Sequence, residues 1–177
     1  QACVLDSERK AYSEKFIKAC REKKIDAVAI TDHHDLCFYN YINEASLNEK
    51  DSLGNPIPEY EKIIVFPGME LTLDVPCQAL LIFDADLIID DETRIVIYTA
   101  LGIADYTSKT KSKTGPTNRL SFRSTNDVYN ALNGVKELKG RFIVFPNIKD
   151  GGTSSILRSG FYNEYANGVF VGGYLDR

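Results

Sequence analysis

The chain has only two histidines, and they are adjacent: His33 and His34, flanked by Asp32 and Asp35, at the end of the apolar run Ala27-Val-Ala-Ile-Thr31. A second apolar run, Ile63-Ile-Val-Phe66, leads within a few residues to Glu70. Imidazole and carboxylate together suit a borderline divalent ion such as zinc or manganese. Such an ion can lower the pKa of bound water and promote hydrolysis of a phosphoester. If the two runs are parallel neighbours, Asp32, His33 and Glu70 converge on one face. The same residues also suit a plain loop start, with Asp capping a turn and His half exposed. Adjacent side chains of an extended chain point to opposite faces, so His33 and His34 are not expected to face one site together.

Lys149-Asp150-Gly151-Gly152 follows another apolar run and precedes Thr153, Ser154 and Ser155. Backbone amides at a helix start, with Lys149, Gly151 and Gly152 nearby, are candidates to hold a phosphate, although the spacing is not that of a P-loop and the glycines also suit a simple turn. The stretch 107–124 contains Lys109, Lys111, Lys113, Arg119 and Arg123 and no acidic residue. It is expected to be a mobile basic loop, and its charge offers a contact for nucleic-acid phosphates. Phe38, Tyr39 and Tyr41 follow the Asp-His cluster and either wall a pocket for a base or pack a short helix. The acidic residues from Asp84 to Glu92 are best explained by caps and a solvated turn.

These residues need elements to position them. A helix is expected from Asp6 or Ser7 to Lys24, with Ala11, Tyr12, Phe16, Ile17, Ala19 and Cys20 as its apolar positions. Strands are expected at 27–31, 63–66, 79–83, 142–145 and 169–171. Helices are expected at 36–45, 90–101 with Gly102 as the stop, 125–138 and 154–165. Short hydrophobic strands alternating with helices are the pattern of an α/β fold with a mostly parallel sheet, whose site lies at the carboxyl ends of the strands. At 177 residues, with 44% hydrophobic and 26% charged residues, the chain is one globular domain rather than a disordered segment. The net charge of −4 gives no global reason to expect a nucleic-acid binder. No apolar run approaches the roughly 18 residues of a membrane span. The four cysteines lack paired metal or redox spacing, which points to reduced thiols and a cytoplasmic protein. Beginning at Gln1 and ending soon after an apolar run, the sequence reads as a fragment of a longer chain.

Ala29-Ile-Thr-Asp-His-His34, followed by Phe66-Pro-Gly-Met-Glu70 and Leu71-Thr72, resembles the second and third motifs of the PHP (polymerase and histidinol phosphatase) superfamily. Together with Phe145-Pro-Asn-Ile-Lys-Asp-Gly-Gly152 and Ser154-Ser-Ile-Leu-Arg-Ser-Gly160, the likeness is greatest to the PHP domain at the front of TrlF-type AAA-like ATPases. The resemblance implies a partial or distorted (β/α)7 PHP-type barrel over 1–177. It implies His33 and Glu70 as metal ligands, Asp32 as a ligand or supporting residue, and Asp6 either as a further acidic ligand or as the cap of the first helix. It also exposes departures. The His-x-His pair that opens the family is not in this chain, and two later family histidines fall on Gln78 and Phe145.

The expectation is therefore a metal-dependent phosphoesterase module acting on nucleotides or nucleic-acid ends within a larger ATPase-linked protein, with Asp32, His33 and Glu70 as its catalytic residues. The cofactor is manganese or zinc in the intact protein, bound weakly or not at all by this fragment. The partners are an ATPase domain or subunit and a nucleotide or nucleic acid, with no membrane. The alternative is a catalytically degenerate PHP-like scaffold that binds nucleic acid or a partner.

Overall fold

The computed structural model describes residues 5–74, 77–103, 119–149, 155 and 173–175. Helix α1 (Asp6–Glu22) leads into strand β1 (Ala27–His33), then α2 (Cys37–Leu47) and a single 3-10 turn (Glu59–Glu61). Strands β2 (Ile64–Thr72) and β3 (Gln78–Phe83) follow, then α3 (Asp91–Leu101), α4 (Thr125–Asn133) and β4 (Phe142–Pro146). Local signals set several boundaries. The Asp90 carboxylate accepts the Thr93 N–H at 2.8 Å and caps α3, and Gly102 ends it at φ 65°. The Ser124 hydroxyl accepts the Asp127 N–H at 3.0 Å, while the Asp127 carboxylate accepts the Arg123 N–H at 3.2 Å. These two bonds start α4, with Ser124 as its cap.

Among the described residues, four strands form one open sheet in the order β1-β2-β3-β4. This corrects the expected barrel, and it corrects the expected parallel sheet as well. Only β1 and β2 are parallel; β2–β3 and β3–β4 are antiparallel. The physical reason lies in the connections. Residues 73–77 alone join β2 to β3, and a parallel pair needs a crossover of about a dozen residues or more. Among the described residues the sheet has four strands, fewer than the seven of the expected barrel. The expected strand at 169–171, the helix at 154–165 and the loop residues 107–118 lie outside the described residues. Arg119 to Ser124 are described, and Leu120 bridges to Leu73 beside the end of β2.

The sheet has two unlike faces. Val65, Met69 and Leu71 of β2, Ala79, Leu81 and Phe83 of β3, and Phe142 and Val144 of β4 are buried, and they form one core with Ile17, Ile42, Ile97 and Leu132 from the helices. Residues on the alternate pleat, among them Phe66, Glu70, Leu80, Ile82 and Phe145, are half-buried. On α1 only Ser13, Ile17 and Cys20 are buried; Ala11, Tyr12 and Ala19 stay exposed, so its core stripe is narrower than its apolar pattern predicts. Burial pushes the Cys77 thiol up to about 11, which keeps it protonated and inert near neutral pH. Among the described residues no helix is long and apolar enough to cross a membrane.

Strand β2 runs through Pro67-Gly68 rather than ending there. In the parallel register Ile64, Phe66, Gly68, Glu70 and Thr72 turn their amides toward β1, and the Ile64 N–H donates to Asp26 at 2.9 Å. The nitrogen of Pro67 therefore points to the other side, one residue before the β3 ladder begins at Gly68, so its missing N–H removes no rung there. A Cβ on Gly68 would lie 2.7 Å from the Leu81 carbonyl oxygen and 3.2 Å from that of Ile30. Both obstacles are backbone. The Gly68→Ala variant is expected to lose about 2 kcal/mol or more in urea unfolding, whereas Gly134→Ala, whose nearest contact would be 3.4 Å, should change stability by well under half of that.

Candidate functional site

The parallel register sets His33 directly beside Glu70. Partnered residues on neighbouring strands share a face, with their backbones roughly 4.8 Å apart, so both side chains leave the same face at the carboxyl end of the β1–β2 pair. Asp32 pairs with Met69 and so sits on the opposite pleat. The structure thus brings His33 and Glu70 together and places Asp32 on the other side of the strand.

His34 departs from the extended chain. Its φ is 51°, in the left-handed region, where a non-glycine residue is held only by its surroundings. The turn stacks its ring on that of His33, with centroids 4.0 Å apart and planes 19° apart. The expectation that the two histidines face opposite ways fails for this reason: alternation holds within the strand, and the strand stops at His33. His34 is 1% exposed. Its backbone N–H donates to the Glu70 carbonyl at 3.0 Å, the last rung of the β1–β2 ladder. The next rung would join the Thr72 N–H to the carbonyl of His34. Instead that N–H donates to His34 Nε2 at 2.8 Å. An N–H can only donate, so Nε2 carries the lone pair and a neutral His34 carries its proton on Nδ1. His33 Nε2 lies 2.9 Å from Thr72 Oγ1. Thr72 therefore engages both imidazoles, a role that its position in the sequence does not announce.

Behind the histidines, the Asp35 carboxylate accepts the Cys37 N–H at 3.0 Å and the Tyr98 hydroxyl at 2.8 Å. The Tyr98 oxygen in turn accepts the Leu36 N–H at 2.9 Å. Burial first, and then the charge of Asp35, push the Tyr98 phenol far above its ordinary value, so it remains a donor. Asp35 and Tyr98 thereby fix the turn into α2, tying α3 to the end of β1. Sequence reasoning missed Tyr98 because 63 residues separate it from Asp35.

The other candidates are placed elsewhere. Asp6 is exposed in the first turn of α1. Its carboxylate accepts the Tyr41 hydroxyl at 2.7 Å and pairs with Lys10 at 3.4 Å. The Tyr41 hydrogen bond, followed by the nearby cations, holds it below the usual carboxylate range. Asp6 is not the helix cap; residue Leu5 occupies that position, with its N–H bonded to Glu8 at 3.2 Å. Lys149 is half-buried, with its N–H bonded to Asn147 Oδ1 at 2.9 Å. Gly151 and Gly152 lie outside the described residues. Gln78 pairs with Thr72, and Phe145 pairs with Leu80, which pairs with Glu70. One row across the sheet therefore reads His33, Glu70, Leu80, Phe145.

As a donor set, His33 and Glu70 fit two positions around zinc or manganese. Catalytic zinc takes three protein ligands, and among the described residues no group of three His, Cys, Asp or Glu side chains is placed to hold a metal. Comparison with known proteins finds no family model that matches the chain, no matching curated protein and no matching solved structure.

The two histidines should differ in their weight for stability. His34→Ala strips the part-buried Thr72 N–H of its acceptor and empties the space of a buried ring, and is expected to cost about 2 kcal/mol or more in urea unfolding. His33→Ala, at a half-buried position, should cost about 1 kcal/mol or less. Equal losses would show that the Thr72–His34 bond has no special weight.

Proposed function

We propose that the chain carries part of the metal centre of a PHP-type phosphoesterase acting on nucleotides or nucleic-acid ends, with His33 and Glu70 as two of its ligands. The observation that supports this reading is the register pairing of those residues on one face at the carboxyl end of parallel strands. Further ligands would come from outside the described residues. A bound divalent ion supplies Lewis acidity to the phosphoryl oxygen and a nucleophilic water at neutral pH. The chain's own part is orientation. The His34 ring braces His33, Thr72 Oγ1 holds its Nε2, and β2 sets Glu70 in register with it. Linkage to an ATPase rests on the resemblance alone.

A second reading, a PHP-like module without turnover that binds nucleic acid or a partner, is favoured by Gln78 and Phe145, which stand where the resemblance calls for histidines. One experiment separates the two. The intact protein is assayed with manganese or zinc against a panel of phosphodiesters. The first reading expects metal-dependent hydrolysis that falls about 100-fold or more in both His33→Ala and Glu70→Ala. Full activity in those variants removes the assignment of the pair, and no hydrolysis by the wild-type protein leaves the second reading.

A further inference from the structure

Strand β1 leaves the sheet at His34, and another segment takes its place beside β2. The Leu120 N–H donates to the Thr72 carbonyl at 2.8 Å, and the Asp74 N–H donates to the Phe122 carbonyl at 3.1 Å. Leu120 is the parallel bridge partner of Leu73. The N–H and C=O of one residue in a strand point to the same edge. Thr72 gives its N–H to the His34 ring and its C=O to Leu120, so the end of β1 and the start of the incoming segment flank it from one side of β2. In open α/β sheets, ligands bind in the crevice outside the carboxyl ends of the strands, where neighbouring connections part.

The residue set at this crevice is Arg119. Leu120 and Leu73 are both buried in the core. Alternation along an extended chain sends their predecessors, Arg119 and Thr72, to the opposite side. That is the side on which the Thr72 hydroxyl lies 2.9 Å from His33 Nε2. The Arg119 backbone thus stands one strand spacing, roughly 4.8 Å, from Thr72, and Glu70 lies two residues back along β2, roughly 6.6 Å. Arg119 is exposed. Among the described residues its guanidinium makes one bond, to the Asp74 carbonyl at 3.4 Å, which is long for such a donor. The protein fold draws little from this side chain, and most of its donor fork is left to solvent.

A guanidinium in that position, beside an imidazole and a hydroxyl, matches an oxyanion. We propose that Arg119 is the phosphate-binding residue of the candidate site, its fork taking two oxygens of a terminal phosphate seated at Thr72, in the crevice between β1 and the segment that replaces it. Planar bidentate contact is what distinguishes arginine from lysine in holding phosphate. The choice of ligand rests on the functional reading above. Two carboxylates stand near: Glu70, whose charge is offset on that reading by the cation it holds, and the exposed Asp74, two residues beyond Thr72 on the side away from Glu70. The bound phosphate takes the place of the long bond to the Asp74 carbonyl.

The test is isothermal titration calorimetry of the intact protein in manganese at low salt. The probe is a thymidine phosphonate in which a CH2 group replaces the ester oxygen, so that it binds without being hydrolysed. Arg119→Gln is expected to weaken binding about tenfold while unfolding at the same urea concentration as the wild type. Arg119→Lys, which keeps the charge and loses the fork, should fall between the two. Arg123→Gln removes the same charge from an exposed residue four positions further on, and should change affinity by less than about twofold. No binding by the wild-type protein, wild-type affinity in Arg119→Gln, or an equal loss in Arg123→Gln overturns the proposal. Hydrolysis is assayed separately with the phosphodiester panel, so that its absence counts against the metal centre while the affinities decide the role of Arg119.

Discussion

The amide of Thr72 stands where the β1–β2 ladder runs out of backbone. Strand β1 turns away at His34, and the rung that a carbonyl would complete is completed by the His34 ring nitrogen. A fully buried amide left without a partner costs about 1–3 kcal/mol, and the Thr72 amide is part-buried, so the turn and the ring help hold each other in place. The left-handed backbone of His34 is tolerable because two rungs depend on it, one through its N–H and one through its side chain. The position of His33 follows from this arrangement, since its ring lies against that of His34 and its Nε2 against the Thr72 hydroxyl.

The two strands that meet here are made rigid by different means. In β2, Gly68 lets the Leu81 and Ile30 backbones approach closely, and Pro67 turns its missing donor away from the parallel ladder. The Pro-Gly step ahead of Glu70 thus has a structural task of its own, whatever chemistry the glutamate performs. On the other side, Tyr98 reaches from α3 to Asp35 and to the amide of Leu36. The acidic residue after the histidine pair is thereby occupied in holding the entry to α2. Of the four polar residues from Asp32 to Asp35, His33 is the register partner of Glu70, the His34 ring stacks against it, and Asp32 lies on the opposite pleat.

Much of this was legible in the chain. The apolar runs located all four described strands, the caps at Asp90 and Ser124 were readable from residue type, and the placement of Glu70 beside His33 followed from assuming parallel neighbours. The barrel was not supported. The five-residue link between β2 and β3 already favoured an antiparallel step, yet strand-helix alternation and a family likeness pointed the other way. The left-handed turn at His34 could not be read from local sequence, because what sustains it is an amide 38 residues away. The exposure of Tyr12 was hidden for a similar reason: helical periodicity gives the apolar side of α1 but not how far its neighbours cover it.

The claim on which this account turns is that His34 Nε2 accepts the Thr72 N–H. Long-range proton–nitrogen correlation NMR at neutral pH reads the tautomer of each histidine directly. The account predicts that His34 is neutral with its proton on Nδ1, and that the Thr72 amide exchanges slowly with solvent. A proton on His34 Nε2, or a freely exchanging Thr72 amide, would contradict it.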